Sequence, residues 1–587
     1  MIDVKELLKQ YVPEEEKHNR RLLKAVSKVL KKLLHQEEIN AFIEKNRHLD
    51  GFEFNDAVLD HFDFSFRVSN RDRLNIPSEG RVIIVANHPL GSLDGLALLK
   101  LVSEIRPDVR IVATTLLDQI DPLRPLFLSV DNFSKKSSQL KHMRNILRAL
   151  KNEQAVIMFP TGEVSRIKPT GIRDGRWKTG FLRLAEKTGA PIVPVHIEGK
   201  NSAMFYALSS LYKPLGTFML VNEMFNKHDK EIAFHIGKPI PWQSLAQLNI
   251  PKKRIAKRMR KQVYLLGKNP KRKRRELFDT INSVMHPVKT KLIRRELRES
   301  QLIGDTQDGK QIFLFDYLPN SSVMKEIGRL RELSFRQVME GTGNPLDIDE
   351  YDRYYRHLIL WDEEELEIVG AYRIGEAGKI IAEKGVEGLY THSLFDFDDR
   401  LLPCLEHAIE LGRSFVQPRY WNKRSLDYLW FGIGAYLRQH PEIGYMFGPV
   451  SLSVSYPEES RRWIASFYDE LFGSDIALAH PRNPYQFESV DAFMPYRAVS
   501  NENDYKAALG ILRDRLNSLG VRVPTLYKQY VEICEPGGCR FLGFNIDEQF
   551  ANCIDAMILV DISAIKEKKK ERYINSHALS IKEQHAA

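Results

Sequence analysis

A chain of 587 residues is too long for a single hydrophobic core, so two domains with connecting elements are expected. Its 43% hydrophobic and 28% charged residues are ordinary for a soluble globular protein, and no stretch reaches the roughly 18–20 uninterrupted apolar residues that span a bilayer. The net charge of +10 is unevenly spread, the opening Met1-Ile2-Asp3-Val4-Lys5-Glu6 has no signal-peptide core, and no repeat or low-complexity tract is present. Residues 1–54 read as an N-terminal helical segment, because Leu22-Leu23, Val26, Val29-Leu30 and Leu33-Leu34 recur at helical spacing. A packing helix pair is the first reading of that segment, and an amphipathic membrane contact is the alternative.

The run Arg81-Val82-Ile83-Ile84-Val85-Ala86 is short, apolar and β-branched, the pattern of a strand buried on both faces. It leads into Asn87-His88-Pro89-Leu90-Gly91-Ser92-Leu93-Asp94, and a helix is expected from about Gly95. A histidine with one ring nitrogen held by a carboxylate takes a proton from a hydroxyl near neutral pH. The plain alternative is a His-Pro turn with Asp94 as a helix cap. A second strand then runs into a polar turn, Ile157-Met158-Phe159-Pro160-Thr161-Gly162-Glu163-Val164-Ser165-Arg166. A helix over Leu182–Lys187 and a strand within Ala190–Gly199 follow it.

These three blocks, in this order over roughly residues 65–240, resemble the glycerolipid acyltransferase family of the lysophosphatidate acyltransferase type. The resemblance implies that His88 is the general base toward the acceptor hydroxyl and Asp94 its orienting partner. It also implies direct acyl transfer from a thioester, with Gly162, Glu163, Ser165 and Arg166 as substrate-binding residues. The tetrahedral oxyanion needs donors aimed at it, for which the amides near Gly91 or Gly162 are candidates. Two departures from the family stand out. Five residues, Pro89 to Leu93, separate His88 from Asp94 where the family has four, and an irregular loop must absorb the extra about 100° of rotation. Val164 also stands where the family places an arginine suited to phosphate, which argues for a phosphate-free acceptor unless Arg166 substitutes.

Lys252, Lys253, Arg254, Lys257, Arg258, Arg260 and Lys261 form a basic segment that Lys271-Arg272-Lys273-Arg274-Arg275 continues, with no acid between Lys252 and Arg275. Anionic lipid ranks first as its partner, an acidic acyl carrier protein second, and nucleic acid last because no recognition motif accompanies the charge. A solvated linker is the plain alternative. A helix over Glu276–Ile281 and a domain boundary near Gly304–Gly309 are expected, which makes 55–245 the first catalytic domain, 246–309 a basic helical linker and 310–587 a second domain.

In that second part a helix over Lys325–Arg336 precedes the acidic-aromatic stretch Asp347–His357. Strands at Leu358–Asp362 and Glu367–Gly375, a central strand Ala408–Val416 and a helix from about Ser425 follow. The marks Leu358-Ile359-Leu360-Trp361-Asp362, Val369-Gly370-Ala371-Tyr372-Arg373, Glu410-Leu411-Gly412-Arg413-Ser414 and Phe447-Gly448-Pro449-Val450-Ser451 resemble one branch of the GNAT superfamily. That branch comprises the lyso-ornithine-lipid N-acyltransferases, relatives of the acyl-homoserine-lactone synthases. The implied chemistry is attack of an α-amine on an acyl thioester, with Glu410 as base and Arg373 and Arg413 holding a carboxylate or phosphopantetheine. A structural charge network among these three is the alternative. Gln417–Arg424, at the place of the family's pyrophosphate loop, has no glycine, which favours acyl carrier protein over CoA as donor. Cys534 and Cys539 read as incidental thiols in a turn, without metal-ligand spacing around them.

The fold class expected is α/β in two domains, glycerolipid-acyltransferase-like and then GNAT-like. The fusion resembles bifunctional ornithine lipid synthases, with ornithine N-acylated by the second half and the resulting lyso-ornithine lipid O-acylated by the first. Glycine or another amino acid fits the same chemistry, and a lysophospholipid acyltransferase with a non-catalytic second half is the competing reading. No bound cofactor or metal is expected. The expected setting is cytoplasmic, peripheral on the inner face of a bacterial inner membrane.

Overall fold

The computed structural model describes residues 35–114, 117, 120–130, 136–169, 171–211, 213–227, 230–267, 276–496 and 502–575. The helical spacing at Leu22–Leu34 and the basic run 271–275 lie outside these residues. The chain forms two compact units, the first ending at His286 and the second beginning at Pro287.

The first unit is built on a seven-stranded sheet in the order β1-β9-β8-β2-β5-β3-β4. In chain order its strands are β1 (Phe64–Val68), β2 (Val82–Ala86), β3 (Arg110–Thr114), β4 (Phe127–Val130) and β5 (Ala155–Met158). A two-stranded hairpin, β6 (Arg166–Lys168) and β7 (Gly171–Arg173), stands outside the sheet, and β8 (Ile192–Glu198) and β9 (Lys230–Ile236) complete it. Every pairing in the sheet is parallel except β8 with β9. Along β2, Val82, Ile84 and Ala86 join one apolar cluster while Ile83 and Val85 join another. Both faces are covered, which is why the strand reads as an unbroken apolar run.

The basic segment is not a linker. The helix Lys252–Leu266 buries Ile255, Ala256, Met259, Val263 and Leu266, and the first four sit in the cluster that covers one face of the sheet. No helix forms over Glu276–Ile281 either, since this stretch is irregular. Its Phe278 side chain is buried, Leu277 N–H donates to Gln262 Oε1 at 2.8 Å and Ile281 N–H donates to the Pro239 carbonyl at 3.0 Å. Tertiary anchors override local helix propensity there.

The second unit carries an eight-stranded sheet in the order β10-β11-β12-β13-β15-β16-β19-β18. Its strands are β10 (Gln301–Asp305), β11 (Lys310–Asp316), β12 (Arg356–Asp362), β13 (Glu367–Glu376), β15 (Ala408–Val416), β16 (Tyr445–Leu452), β18 (Cys539–Asp547) and β19 (Cys553–Asp561). The short β14 (Phe395–Phe397) and β17 (Ala479–Pro481) pair with each other. Gly304–Gly309 therefore lies at the turn of the β10–β11 hairpin and is no domain boundary, because the same Gly/Asp chemistry serves turns and linkers alike. The helices Ser322–Gln337 and Ser425–Gln439 contribute to separate apolar clusters, joined by alternate residues of β12: Leu358 and Leu360 to one, Ile359 and Trp361 to the other. All pairings are antiparallel except β15 with β16, whose register covers only Ala408–Glu410 against Tyr445–Phe447. Beyond Glu410 these two strands no longer pair.

Candidate active sites

Parallel neighbours deliver their C-terminal loops side by side, and the ends of such strands are where open α/β sheets bind ligands. Because β2 pairs with β5, Val85 lies opposite Met158, and the loops that follow meet. The His88 and Phe159 rings stack at 4.0 Å, and Ser165 N–H donates to the His88 carbonyl at 2.8 Å. The buried Asn87 side chain pins the end of β2 to β8. Its Oδ1 accepts from Ile197 N–H at 2.7 Å and its Nδ2 donates to the Ile197 carbonyl at 2.9 Å.

His88 Nδ1 lies 3.0 Å from Asp94 Oδ2, so the five intervening residues still bring the pair together. Asp94 sits in the first turn of the helix Leu93–Ser103 and also accepts N–H bonds from Leu90 (2.9 Å), Gly91 (3.1 Å) and Gly95 (3.0 Å). Gly91 absorbs the extra residue at φ +93, where an added Cβ would lie 2.6 Å from Val164 Cγ2. Burial would lower the His88 pKa, but the Asp94 charge and hydrogen bond hold it above the ordinary value. Burial would likewise raise the Asp94 pKa, yet His88 and the loop amides keep it low. With Nδ1 committed to Asp94, Nε2 is the nitrogen left to receive a proton.

The polar turn after β5 departs from expectation in three ways. Ser165 faces inward, and its Oγ donates to Asp174 Oδ1 at 2.5 Å, so it positions the loop. Val164 is buried in a small apolar cluster with Phe205, Tyr206 and Met219. The candidate oxyanion donors are both engaged: Gly91 N–H bonds Asp94, and Gly162 N–H bonds the Phe159 carbonyl at 3.1 Å. Gly162 and Glu163 are exposed at the tip. Arg166 is half-buried, with Nη1 on the Ser209 carbonyl at 3.0 Å, which ties it to the helix Ala203–Leu211.

Sequence reasoning missed Asp174. It is fully buried, and besides Ser165 its carboxylate accepts from Trp177 Nε1 at 2.8 Å and His88 N–H at 3.3 Å. Burial raises its pKa against the hydrogen bonds from Ser165 and Trp177. The Asp174 carbonyl takes Arg260 Nη1 at 3.1 Å, and its N–H donates to Tyr264 Oη at 2.8 Å, so the basic helix braces the loop that holds His88. The only available signal was a lone acid amid Arg173, Arg176 and Lys178.

In the second unit Glu410 is 1% exposed and fully occupied. It accepts from Thr391 N–H and Oγ1, both at 2.6 Å, from Tyr390 N–H at 3.2 Å and from Tyr355 Oη. Burial raises its pKa, and these donors pull the other way. Such a carboxylate holds the Tyr390–Thr391 turn and is not placed to receive a substrate proton, which corrects its expected role as base.

Arg373 is held in an ion-pair network through Nη1, while its Nε and Nη2 have no hydrogen-bond partner. It is 1% exposed, its Nη1 lies 2.6 Å from Asp349 Oδ1 and 3.3 Å from Asp352 Oδ1, and its guanidinium faces the rings of Tyr351, Tyr355 and Tyr390. Arg331 Nη1 reaches the same Asp352 Oδ1 at 2.8 Å. Burial, reinforced by Arg331, lowers the His357 pKa to about 4 and leaves the ring neutral. Arg413 joins the network at Asp347 (3.4 Å) and Asp349 (3.3 Å) and differs in one respect. It occupies a β-bulge of β15 at φ +47, and it lines a cleft.

That cleft, about 220 Å³, opens where β15 and β16 part. Leu411–Val416 of β15 and Pro449–Ser451 of β16 line it, with Tyr372, Tyr390, Phe550 and two acids that sequence reasoning passed over, Glu340 and Asp555. Cys534, Cys539 and Cys553 are buried free thiols, and among the described residues no cluster of three or more His, Cys, Asp or Glu side chains is placed to hold a metal ion. No helix of the described residues is long and apolar enough to cross a membrane.

Comparison with known proteins finds an acyltransferase likeness in each unit. A family model described as Acyltransferase matches residues 12–271, and one described as Acetyltransferase (GNAT) domain matches 330–431. A glycine N(alpha)-acyltransferase of Phocaeicola vulgatus is 32% identical over 311 residues, covering 50% of this chain and 94% of that protein. A lyso-glycine lipid O-acyltransferase of Bacteroides thetaiotaomicron is 33% identical over 258 residues, 43% of this chain and 92% of that protein. An L-ornithine N(alpha)-acyltransferase of Brucella abortus is 30% identical over 261 residues, 42% of this chain and 82% of that protein. The chain is an acyltransferase that belongs to the glycine- and ornithine-lipid acyltransferase family, with the N- and O-acyltransferase halves in one polypeptide.

Proposed function

We propose that this chain makes a glycine lipid in two steps. The second unit transfers a 3-hydroxyacyl group from a carrier-protein thioester to the α-amine of glycine, and the first unit esterifies the 3-hydroxyl with a second acyl chain. One observation carries the reading: a single chain is similar, half by half and over more than nine-tenths of each relative, to two proteins whose names describe successive steps. Glycine is preferred to ornithine, the head group expected from sequence, because the ornithine relatives match at lower identity and coverage.

In the O-acyl step His88 Nε2 takes the hydroxyl proton as the oxygen attacks the thioester carbonyl, and Asp94 stabilises the imidazolium that forms. The lyso-lipid has no phosphate, which suits a turn where Val164 is buried and Arg166 is engaged by a backbone carbonyl. The work is done at a membrane surface. The helix Lys252–Leu266 exposes Lys253, Arg254, Lys257, Arg258 and Lys261 along one face, and no acid pairs with them among the described residues. Such a face attracts anionic lipid.

The test is mass spectrometry of total lipids from a host that makes no aminolipid, with and without this chain. A new phosphorus-free lipid with one amide-linked chain, one ester-linked chain and a glycine head group is expected. An ornithine head group overturns the glycine assignment. An unchanged profile from folded, expressed protein overturns the two-step reading.

A further inference from the structure

Buried acids in the second unit are almost all compensated. Glu326 pairs with Arg329, Glu332 with Arg336, Asp347 with Arg413 and Asp352 with Arg331 and Arg373. Glu410 and Asp547 are held by hydrogen-bond donors. Glu340 and Asp555, 6% and 4% exposed, are the least compensated: neither makes an ion pair among the described residues, Glu340 accepts from Ser451 Oγ at 3.0 Å, and Asp555 accepts only the weak Cys553 Sγ donor at 3.9 Å. Both line the cleft between β15 and β16. The Arg413 guanidinium lines the same cleft and its charge reaches Asp555, but it is paired with Asp347 and Asp349, so the two carboxylates are left short of positive charge that an ammonium group would supply.

A further atom points to a polar occupant. Ser334 Oγ lines the same cleft, its side chain is 4% exposed, and the atom has no hydrogen-bond partner. Buried polar groups in native structures are normally satisfied, so an orphan that shares the cavity with the two acids marks the place of a ligand.

We propose that this cleft is the acceptor site for an α-amino acid, that Glu340 and Asp555 hold its ammonium group, and that Glu340 is the base that deprotonates it. The proposal rests on the reading of the second unit as an amino-acid N-acyltransferase, and it holds for any α-amino acid. Glu340 is rigidly delivered. It follows the helix Ser322–Gln337 through a left-handed Met339 (φ +63), with Glu340 N–H on the Phe335 carbonyl at 2.8 Å and Met339 N–H on the Arg336 carbonyl at 3.2 Å. Ser451 Oγ donates to Glu340 Oε2 at 3.0 Å, which leaves Oε1 for the substrate.

Burial pushes the Glu340 carboxyl up to about 7, against the Ser451 hydrogen bond, and a base poised there suits proton transfer at neutral pH. Asp555 is raised further by burial and by the neighbouring Asp547 and Glu340 charges. In the step itself the ammonium gives one proton to Glu340 and the neutral nitrogen attacks the thioester carbonyl. The C–N bond forms as the C–S bond breaks, the second nitrogen-bound proton goes to the departing thiolate, and Glu340 returns its proton to solvent.

The test is thiol release by the purified full chain from a 3-hydroxyacyl carrier-protein thioester, across pH, with a panel of α-amino acids. Glu340→Gln is expected to lower kcat by about a hundredfold or more and to remove the rising limb near pH 7, with Glu340→Asp restoring part of both. Asp555→Asn is expected to raise KM for the amino acid more than it lowers kcat. Ser451→Ala removes the bond that stabilises the Glu340 anion, so its limb moves to higher pH. This variant decides the matter if Glu340→Gln fails to fold. A wild-type rate and limb in Glu340→Gln, or an unmoved limb in Ser451→Ala, overturns the role of Glu340. Wild-type protein inert toward every amino acid overturns the N-acyltransferase reading instead.

Discussion

Asp94→Asn removes the negative charge 3.0 Å from His88 Nδ1 while keeping the size of the side chain. Its two oxygens serve different partners: Oδ2 accepts from His88 and Leu90 N–H, and Oδ1 accepts from Gly91 and Gly95 N–H. An amide nitrogen at Oδ1 faces two N–H groups. At Oδ2 it faces Leu90 N–H and turns the imidazole to the tautomer with its proton on Nε2, where the base lone pair is needed. Either arrangement is unproductive, and O-acylation is expected to fall by about two to four orders of magnitude, or about 3–5 kcal/mol of transition-state stabilisation. The base works as neutral imidazole, so the rate rises with pH through the His88 pKa. That pKa stands above the ordinary 6.5 because Asp94, helped by the Asp174 charge, overcomes burial, and without the Asp94 charge the limb moves to lower pH. The assay is kcat/KM for O-acylation of the lyso-lipid against pH, with N-acylation by the second unit as an internal control. A limb that stays in place, or a rate within about threefold of wild type, refutes the role given to this pair.

The same pair carries a stability signature in wild-type protein. The contribution of raised His88 is present below 6.5 and is lost as pH rises through the folded value. That of lowered Asp94 is present above 3.8 and is lost as pH falls through its folded value. The melting temperature of wild type relative to Asp94→Asn is therefore expected to peak between those pH values, and a difference that grows above neutrality contradicts this. Gly91→Ala places a Cβ 2.6 Å from Val164 Cγ2 and 2.9 Å from Leu220 Cδ2 at a left-handed φ. A loss of about 2–4 kcal/mol in denaturant unfolding of the first unit and a collapse of O-acylation are expected, and a neutral result counts against the loop geometry. Glu410→Ala strands the donors of Thr391, Tyr390 and Tyr355, and destabilisation by about 3–5 kcal/mol is expected. A stable but inactive Glu410→Ala protein would restore Glu410 as the base. Replacing Lys253, Arg254, Lys257, Arg258 and Lys261 by Gln is expected to weaken binding to anionic vesicles, read by flotation, by about three and a half orders of magnitude, at about 1 kcal/mol per residue. Unchanged flotation removes the helix from the membrane contact.

The sequence by itself determined what depends on neighbours along the chain. The apolar runs of β2, β5 and β8, the helix that begins beside Asp94 and the alternating strands of the second unit follow from periodicity and turn residues within a few positions. The His88–Asp94 pair was legible for the same reason, since six positions of chain and one glycine bring it together. The tertiary structure decided what depends on pairing between distant segments. That β2 lies beside β5 places Phe159 on His88, and it makes Asp174, 86 residues away, the carboxylate under the His88 amide. Glu340 and Asp555 are separated by more than two hundred residues and line one cleft because β19 pairs with β16, which sets Asp555 opposite Ser451, the residue that bonds Glu340. Glu410 misled in the opposite sense, because a motif position shows residue type and not whether every lone pair is already taken. The boundary at His286 was hidden as well, because a basic amphipathic stretch reads as a linker until the sheet face that buries Ile255, Met259 and Val263 is known. Local patterning fixes conformation through interactions that chain connectivity makes nearly free. Burial, register and the compensation of charge require loop closure over tens to hundreds of residues, and they exist only once the sheets have formed.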